Sequence, residues 1–137
     1  MTKEETLRVL AILKAAYPSS YNGMTKREAN GTVAVWYMQF ADISVDIVLM
    51  AVQKLISTNK FPPAISEVKD KISKIHWEAN DMLYNYGTLN LPEEVRIQYQ
   101  RIYDETRDFK YAKMAEPSLG QMLSGKQMLQ LGDGGAE

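Results

Sequence analysis

The sequence predicts an all-α protein, a five-helix bundle made of a four-helix core module plus a fifth helix, followed by a flexible C-terminal tail. Apolar residues recur at offsets of three and four in five segments, which is the spacing of one helix face. A helix-capping residue or a proline stands at the start of each segment. The last 22 residues hold five of the eight glycines, and the helical spacing stops there.

Capping signals predict the first two helices. Thr2 and Thr25 each precede a glutamate by three residues, the spacing of a capping box, in which the two side chains satisfy free backbone N–H groups. Pro18 ends the first helix, because proline has no N–H to donate and disfavours a helical residue before it. Gly31 costs about 1 kcal/mol relative to alanine inside a helix. It indicates either close packing or a frayed first turn. The predicted apolar stripe of the first helix is Leu7, Leu10, Leu13 and Tyr17.

The remaining helices are predicted from similar boundary signals. Ser44 is the expected cap of the third helix, whose stripe ends near Asn59. The fourth helix is expected to begin near Ser66 and to stop at Gly87, because glycine readily adopts the left-handed conformation that closes helices. Pro92 is well placed as the first residue of the fifth helix, since its missing N–H is not needed there.

Composition divides the chain into three parts. We predict a helical module at residues 1–87, a fifth helix packed on it or projecting from it at residues 88–115, and a flexible partner-binding tail at residues 116–137. The tail has one lysine against three acidic residues and is rich in leucine and methionine, which is typical of a segment that orders on a partner. The alternative is a terminal segment without a role. The tail residues predicted to contact a partner are Leu119, Met122, Leu123, Met128, Leu129 and Leu131.

Overall composition excludes several classes of protein. The 137 residues are enough for one modest core, and 45% of them are hydrophobic and 24% charged, as in ordinary globular proteins. A net charge of −1 does not fit a dedicated nucleic-acid binder. The absence of cysteine excludes disulfides and thiolate sites. The polar first residues and the short apolar runs predict a cytoplasmic protein without a membrane span.

No catalytic or metal-binding pattern is found in the sequence. His76 is the one histidine, and no acidic residue three or four positions away could orient it as a base, so a structural role is favoured. Asp104 and Asp108 could share a cation, but Arg101 and Arg107 flank them, which favours a solvated face. No EF-hand, metalloprotease or phosphate-binding motif is present. The sequence therefore predicts a protein that is not an enzyme and needs no cofactor.

Two surface features of the module are candidates for binding. The densest run of lysines includes Lys69, but acidic residues are interleaved with it, so direct nucleic-acid binding is not favoured. Phe61 precedes two prolines in a loop, and an exposed aromatic on a rigid segment is suited to docking. The alternative is that Phe61 closes the end of the bundle. Lys60, Phe61 and Lys69 are the module residues predicted to contact a partner.

Two motifs carry a resemblance to a known family. The first is the end of helix one, Leu13-Lys14-Ala15-Ala16-Tyr17-Pro18, and the second is the junction Lys60-Phe61-Pro62-Pro63-Ala64-Ile65-Ser66-Glu67. Together with Trp36, Phe40 and Lys54 between them, they resemble the small helicase loader and inhibitor proteins of bacteriophages and prophages of Gram-positive bacteria. The resemblance covers about residues 5–75.

The resemblance implies a non-enzymatic adaptor of phage DNA replication. Such a protein would bind a DnaB-type hexameric replicative helicase, of phage or host, and inhibit it or help deliver it to an origin bound by an initiator protein. It also implies that the C-terminal region, here residues 116–137, contacts the helicase. Two other classes stay open: a DNA-binding phage regulator whose affinity falls steeply with salt, and a phage structural or assembly protein that homo-oligomerises through the fifth helix.

Overall fold

The computed structural model describes residues 1–109, and its regular elements there are all helical. The prediction of an all-α fold with five principal helices is confirmed. Two one-turn helices and a final 3-10 turn occupy connections that the sequence did not predict to be helical. In chain order the elements are α1 (Lys3–Ala16), α2 (Pro18–Tyr21), α3 (Lys26–Phe40), α4 (Val45–Ile56), α5 (Ile65–Tyr84), α6 (Tyr86–Leu89), α7 (Glu93–Thr106) and the 3-10 turn Arg107–Phe109.

The two predicted capping boxes both form. The Thr2 hydroxyl accepts from the Glu5 N–H at 3.1 Å, and the Glu5 carboxylate accepts from the Thr2 N–H at 2.8 Å. The same exchange, at 3.1 and 2.9 Å, starts α3 at Thr25 and Glu28. Each box therefore satisfies two backbone donors that the helix geometry leaves without partners.

The start of α5 differs from the prediction. Ala64, not Ser66, is the N-cap residue, and Ser66 lies inside the first turn. The Glu67 carboxylate accepts from the Ala64 N–H at 2.9 Å. Because alanine has no side-chain acceptor, only this half of a capping box forms, and glutamate at the third helical position supplies it.

The end of α5 also differs from the prediction. The helix ends at Tyr84, and Gly87 lies within α6 rather than closing α5. The residue in the left-handed conformation is Asn90, with φ of 54°, which asparagine tolerates better than most residues. Pro92 is the N-cap of α7, one position before its predicted place.

The core is centred on α4. This helix buries Ile47, Val48, Ala51 and Val52 completely, so it is covered by other helices on most of its circumference. Burial of such side chains contributes about 1.5–3 kcal/mol each. The residues that pack around α4 come from α1, α3, the α3–α4 corner and α5: Val9, Leu13, Trp36, Phe40, Ile43, Val68, Ile72 and Ile75.

The face that α1 turns to the core is rotated from the predicted stripe. Thr6, Val9 and Leu13 are fully buried, whereas Leu7 is 53% exposed. Thr6 can occupy the core because its hydroxyl donates to the Thr2 carbonyl at 2.8 Å, which satisfies the buried polar group. Gly31 was predicted to mark close packing or fraying, but it lies within the continuous helix α3 with open space where a Cβ would stand.

The chain bends by 112° between α3 and α4. Ile43 is buried at this corner, and the Met1 ammonium donates to the carbonyls of Ala41 and Ile43 at 3.0 and 2.5 Å. A positive group at the C-terminal end of a helix is favourable, because the carbonyls there carry partial negative charge. Among residues 1–109, no single helix has the length and apolar character to cross a membrane, and α3 with α4 meets that test only as a bent pair.

The last helix, α7, is attached to α5 through His76. This side chain is fully buried, and its Nδ1 lies 3.0 Å from the Thr106 hydroxyl. Because that hydroxyl donates to the Ile102 carbonyl at 2.6 Å, it accepts from His76, whose Nδ1 therefore carries the proton. The imidazole also stacks on Tyr103, with ring centroids 4.5 Å apart. His76 is thus a packing residue between two helices.

Candidate partner-binding surface

The loop of residues 57–64 between α4 and α5, called here the α4–α5 loop, presents the most exposed phenylalanine of the described chain. Phe61 is 70% exposed, and Lys60 is exposed beside it, whereas Pro63 is buried. The Lys60 ammonium lies 5.8 Å from the centre of the Phe61 ring. The alternative that Phe61 closes the end of the bundle is therefore wrong. Pro63 is the residue of this loop that reaches the interior.

A chain of hydrogen bonds holds the α4–α5 loop at both ends. The Tyr17 hydroxyl donates to the Asn59 carbonyl at 2.9 Å, and the Asn59 amide donates to the Glu67 carboxylate at 3.3 Å. The other oxygen of Glu67 accepts from the Ala64 N–H. With these bonds and two prolines, the loop loses little conformational freedom when a partner binds, which favours affinity.

The hydrogen bond from Tyr17 to Asn59 joins positions 42 residues apart in the chain. It brings the end of the first helix next to the Phe61-Pro62-Pro63 junction, so the two motifs of the resemblance meet in space. The sequence analysis did not assign this role to Asn59 or Glu67. The signals available were the spacing of Glu67 from Ala64 and the need of a half-buried tyrosine hydroxyl for an acceptor.

The predicted module residues do not form one contact group. Lys60 and Phe61 lie together in a shallow depression that is also lined by Thr58 and Pro62. Lys69 lies on α5, where its ammonium donates to the Gln39 side chain of α3. The structure therefore brings Lys60 and Phe61 together and directs Lys69 towards α3. The predicted tail contacts Leu119, Met122, Leu123, Met128, Leu129 and Leu131 lie outside the described residues.

The shifted carboxylate pKa values near α7 belong to a link between α4 and α7. Partial burial raises the pKa of Asp46, but hydrogen bonds from Ser44 and Arg101 outweigh it and hold the pKa below its ordinary value. The same balance lowers the pKa of Glu105, whose carboxylate accepts from Ser44 at 2.5 Å and pairs with Arg101. These groups connect helices, and they face one another rather than a substrate cavity.

The described residues show no arrangement for metal chemistry. Within residues 1–109, no three histidine or acidic side chains converge to hold an ion. Asp104, which the sequence analysis considered as part of a cation pair, instead accepts from the Gln100 amide at 3.1 Å. The surface that remains as a candidate for function is the α4–α5 loop.

Comparison with known proteins identifies the region that contains this loop. A family model for the N-terminal domain of a phage helicase loader and inhibitor matches residues 1–69, which is 69 of the 137 residues. The matched stretch includes α1 to α4, the α4–α5 loop and the first five residues of α5. No curated protein and no solved structure matches the chain.

Proposed function

The chain belongs to the family of phage helicase loaders and inhibitors, and from this premise we propose that it binds a DnaB-type hexameric replicative helicase as a non-enzymatic adaptor. The helicase is that of the phage or of the host, and the proposed place of action is the cytoplasm of the bacterial host cell. The adaptor acts by inhibiting the helicase or by delivering it to a phage origin. No catalytic step is assigned to the protein itself.

The observation that carries the proposal is the exposure of Phe61 on a loop that the fold holds in place. A phenylalanine that is 70% exposed contributes little to the core, yet three hydrogen bonds and a buried proline fix the loop that carries it. Burying such a side chain against a partner stabilises a complex by about 1.5–3 kcal/mol. Fixed, exposed aromatic residues are typical of the residues that dominate protein interfaces.

We assign different contacts to the module and the tail. Lys60, Phe61 and Lys69 bind the origin-bound initiator protein or a second loader molecule, with Phe61 as the central contact. The apolar side chains of residues 116–137 bind the helicase and are released when the helicase engages DNA. A segment that orders on binding spends part of its interaction free energy on ordering, so such a contact is readily reversible.

The charges of the module support a protein partner rather than DNA. Lys54 pairs with Glu78 at 3.9 Å, and Lys69 donates to Gln39. Two of the lysines that could have formed a continuous basic surface are thus turned to neighbouring side chains. A protein that bound DNA chiefly through phosphate contacts would need several lysines or arginines on one open face.

The first experiment is a pull-down of purified phage-encoded and host helicases, each with and without ATP. The full chain is compared with a chain that ends at Ala115. Binding that is lost on truncation supports the adaptor proposal and assigns the helicase contact to the tail. Binding that persists assigns it to the helical module. If neither helicase binds the full chain, the helicase-adaptor proposal is wrong.

A second experiment tests the module with a matched pair of variants. Phe61→Ala is expected to weaken binding of the initiator protein by about tenfold or more, which corresponds to about 1.4 kcal/mol. Tyr84→Ala is the control, because Tyr84 is 87% exposed but stands 19 residues further along α5, roughly 28 Å away from the start of that helix. Equal binding by both variants would contradict the role of Phe61.

A further inference from the structure

A groove lies between α4, α5 and α7, away from the α4–α5 loop. Its volume is about 740 Å³, and it runs along the line where α7 packs beside α5. Ile75 and Ala79 are buried at its floor, and half-buried side chains of the three helices form its walls. The apolar residues around it include Met50, Ile75, Ala79, Met82, Tyr99 and Ile102.

The rim of this groove carries a small negative charge. Lys54, Glu78 and Asp81 are its charged residues, and Lys54 pairs with Glu78 at 3.9 Å. One positive and two negative side chains leave a net charge of −1. Methionine side chains at the walls adapt to partners of irregular shape, because they are unbranched and polarizable. The groove therefore fits an apolar segment that carries a single positive charge.

The chain itself contains such a segment. We propose that residues 119–131 of the same molecule dock in this groove while no helicase is bound. Lys126 is the one charged residue among positions 117–132, so the segment complements the rim. Leu119, Met122 and Leu123 recur at offsets of three and four, the pattern of an amphipathic segment that lies in a hydrophobic groove.

The connection is long enough to allow this docking. The helix α7, which forms one wall of the groove, leads directly to the segment, and 28 residues follow Phe109. Phe109 is held near the core, with its ring 6.4 Å from that of Phe40. From Ile102 to Phe109 the chain advances about 10 Å in helical geometry. The ten residues from Phe109 to Leu119 can span up to about 33 Å, so the segment reaches back to the groove.

Intramolecular docking does not require high intrinsic affinity. A short flexible connection holds the segment near the groove at an effective concentration of about 1 mM. A contact with a dissociation constant in that range is therefore occupied about half of the time, and a helicase that binds the same leucines displaces it. This part of the inference rests on the proposed function: the module would shield the helicase-binding side chains and give them up to the helicase.

The sequence allows a direct test, because the full chain has no cysteine and eight methionines. A nitroxide label at Ser124→Cys, and in a second preparation at Gln127→Cys, is combined with methyl-labelled methionine. We expect the methyl signals of Met50 and Met82 to lose most of their intensity, while those of Met24 and Met38 on the α3 side keep theirs. No selective loss with either label position overturns the proposal.

Two controls make the result specific. The variant Leu119→Ser/Met122→Ser/Leu123→Ser should restore the Met50 and Met82 signals, and Gln121→Ser/Gln130→Ser should not. A mixture of labelled chains with separate methyl-bearing chains should show no loss. Loss in that mixture means that the tail of a second copy docks, which overturns docking within one chain.

Adding helicase separates this proposal from the proposed function. Restored Met50 and Met82 signals support both competition for the tail and the adaptor proposal. Selective loss without helicase, combined with no helicase binding in the pull-down, supports docking and contradicts the adaptor proposal. Helicase that binds while the signal loss persists overturns the competition between helicase and groove.

Discussion

The region matched by the family and the region that follows it are stabilised differently. The helix α4 buries five apolar residues, whereas α7 buries only Thr106. α7 is attached by directional contacts instead, through the His76–Thr106 hydrogen bond and the stacked rings of His76 and Tyr103. Apolar burial adds up over many atoms, while a few polar contacts are lost together when one partner is removed. We therefore expect α7 to open at a lower free energy than the core around α4.

The largest expected effect comes from the core of the matched region. Phe40 is fully buried and contacts the rings of Trp36 and Phe109. Phe40→Ala should lower the free energy of unfolding by about 3–5 kcal/mol, because it removes buried apolar surface and leaves a cavity. Denaturant unfolding followed by circular dichroism measures this loss. A loss below about 1 kcal/mol would show that the core does not depend on this corner as the comparison requires.

A smaller effect is expected at the attachment of α7. Thr106→Val keeps the shape of the side chain but removes the hydroxyl that accepts from His76, which should cost about 1–3 kcal/mol. Amide hydrogen exchange should accelerate in α7 more than in α4. Thr106→Ser keeps the hydroxyl and is the control. Equal acceleration in both helices would contradict a separate opening of α7.

The smallest effect concerns the ion pairs between α4 and α7. Arg101 pairs with Asp46 and Glu105, and the pKa values of both carboxyl groups are lowered in the folded protein. Groups with lowered pKa values stabilise the fold above their unfolded pKa, about 4, and lose this effect as pH falls through the folded values. Arg101→Met should therefore cost about 0.2–1 kcal/mol at pH 7, since the pairs are largely exposed.

This stability difference should shrink as pH falls below about 4 and also as salt concentration rises. Unfolding measured over a pH series, with Arg107→Met as the exposed control at the end of α7, tests both dependences. A difference between the parent chain and Arg101→Met that stays constant with pH would contradict the lowered pKa values as its cause.

Much of the fold was predictable because its signals are local. A threonine followed three residues later by glutamate starts α1 and α3, since this exchange needs no partner outside the first turn. Failures occurred where a competing local contact decided the outcome. Glu67 moved the start of α5 to Ala64, and Thr6 took a core position that the apolar stripe had assigned to Leu7.

The candidate site was predicted in part. Lys60 and Phe61 are exposed together, as a docking loop requires, but Lys69 is turned to α3. A sequence pattern identifies a loop and its unusual residues. It does not say which of them the neighbouring helices cover, because that depends on how those helices pack.

The sequence by itself determined the helical class, the capped starts of α1 and α3, and the motifs that place the chain in its family. These depend on residues within one or two turns of each other, whose geometry the backbone imposes. Only the tertiary structure decided that Pro63 is buried while Phe61 is exposed, and that Tyr17 holds the loop through Asn59. Those outcomes depend on contacts across 42 residues, which form only when the helices have packed into one core.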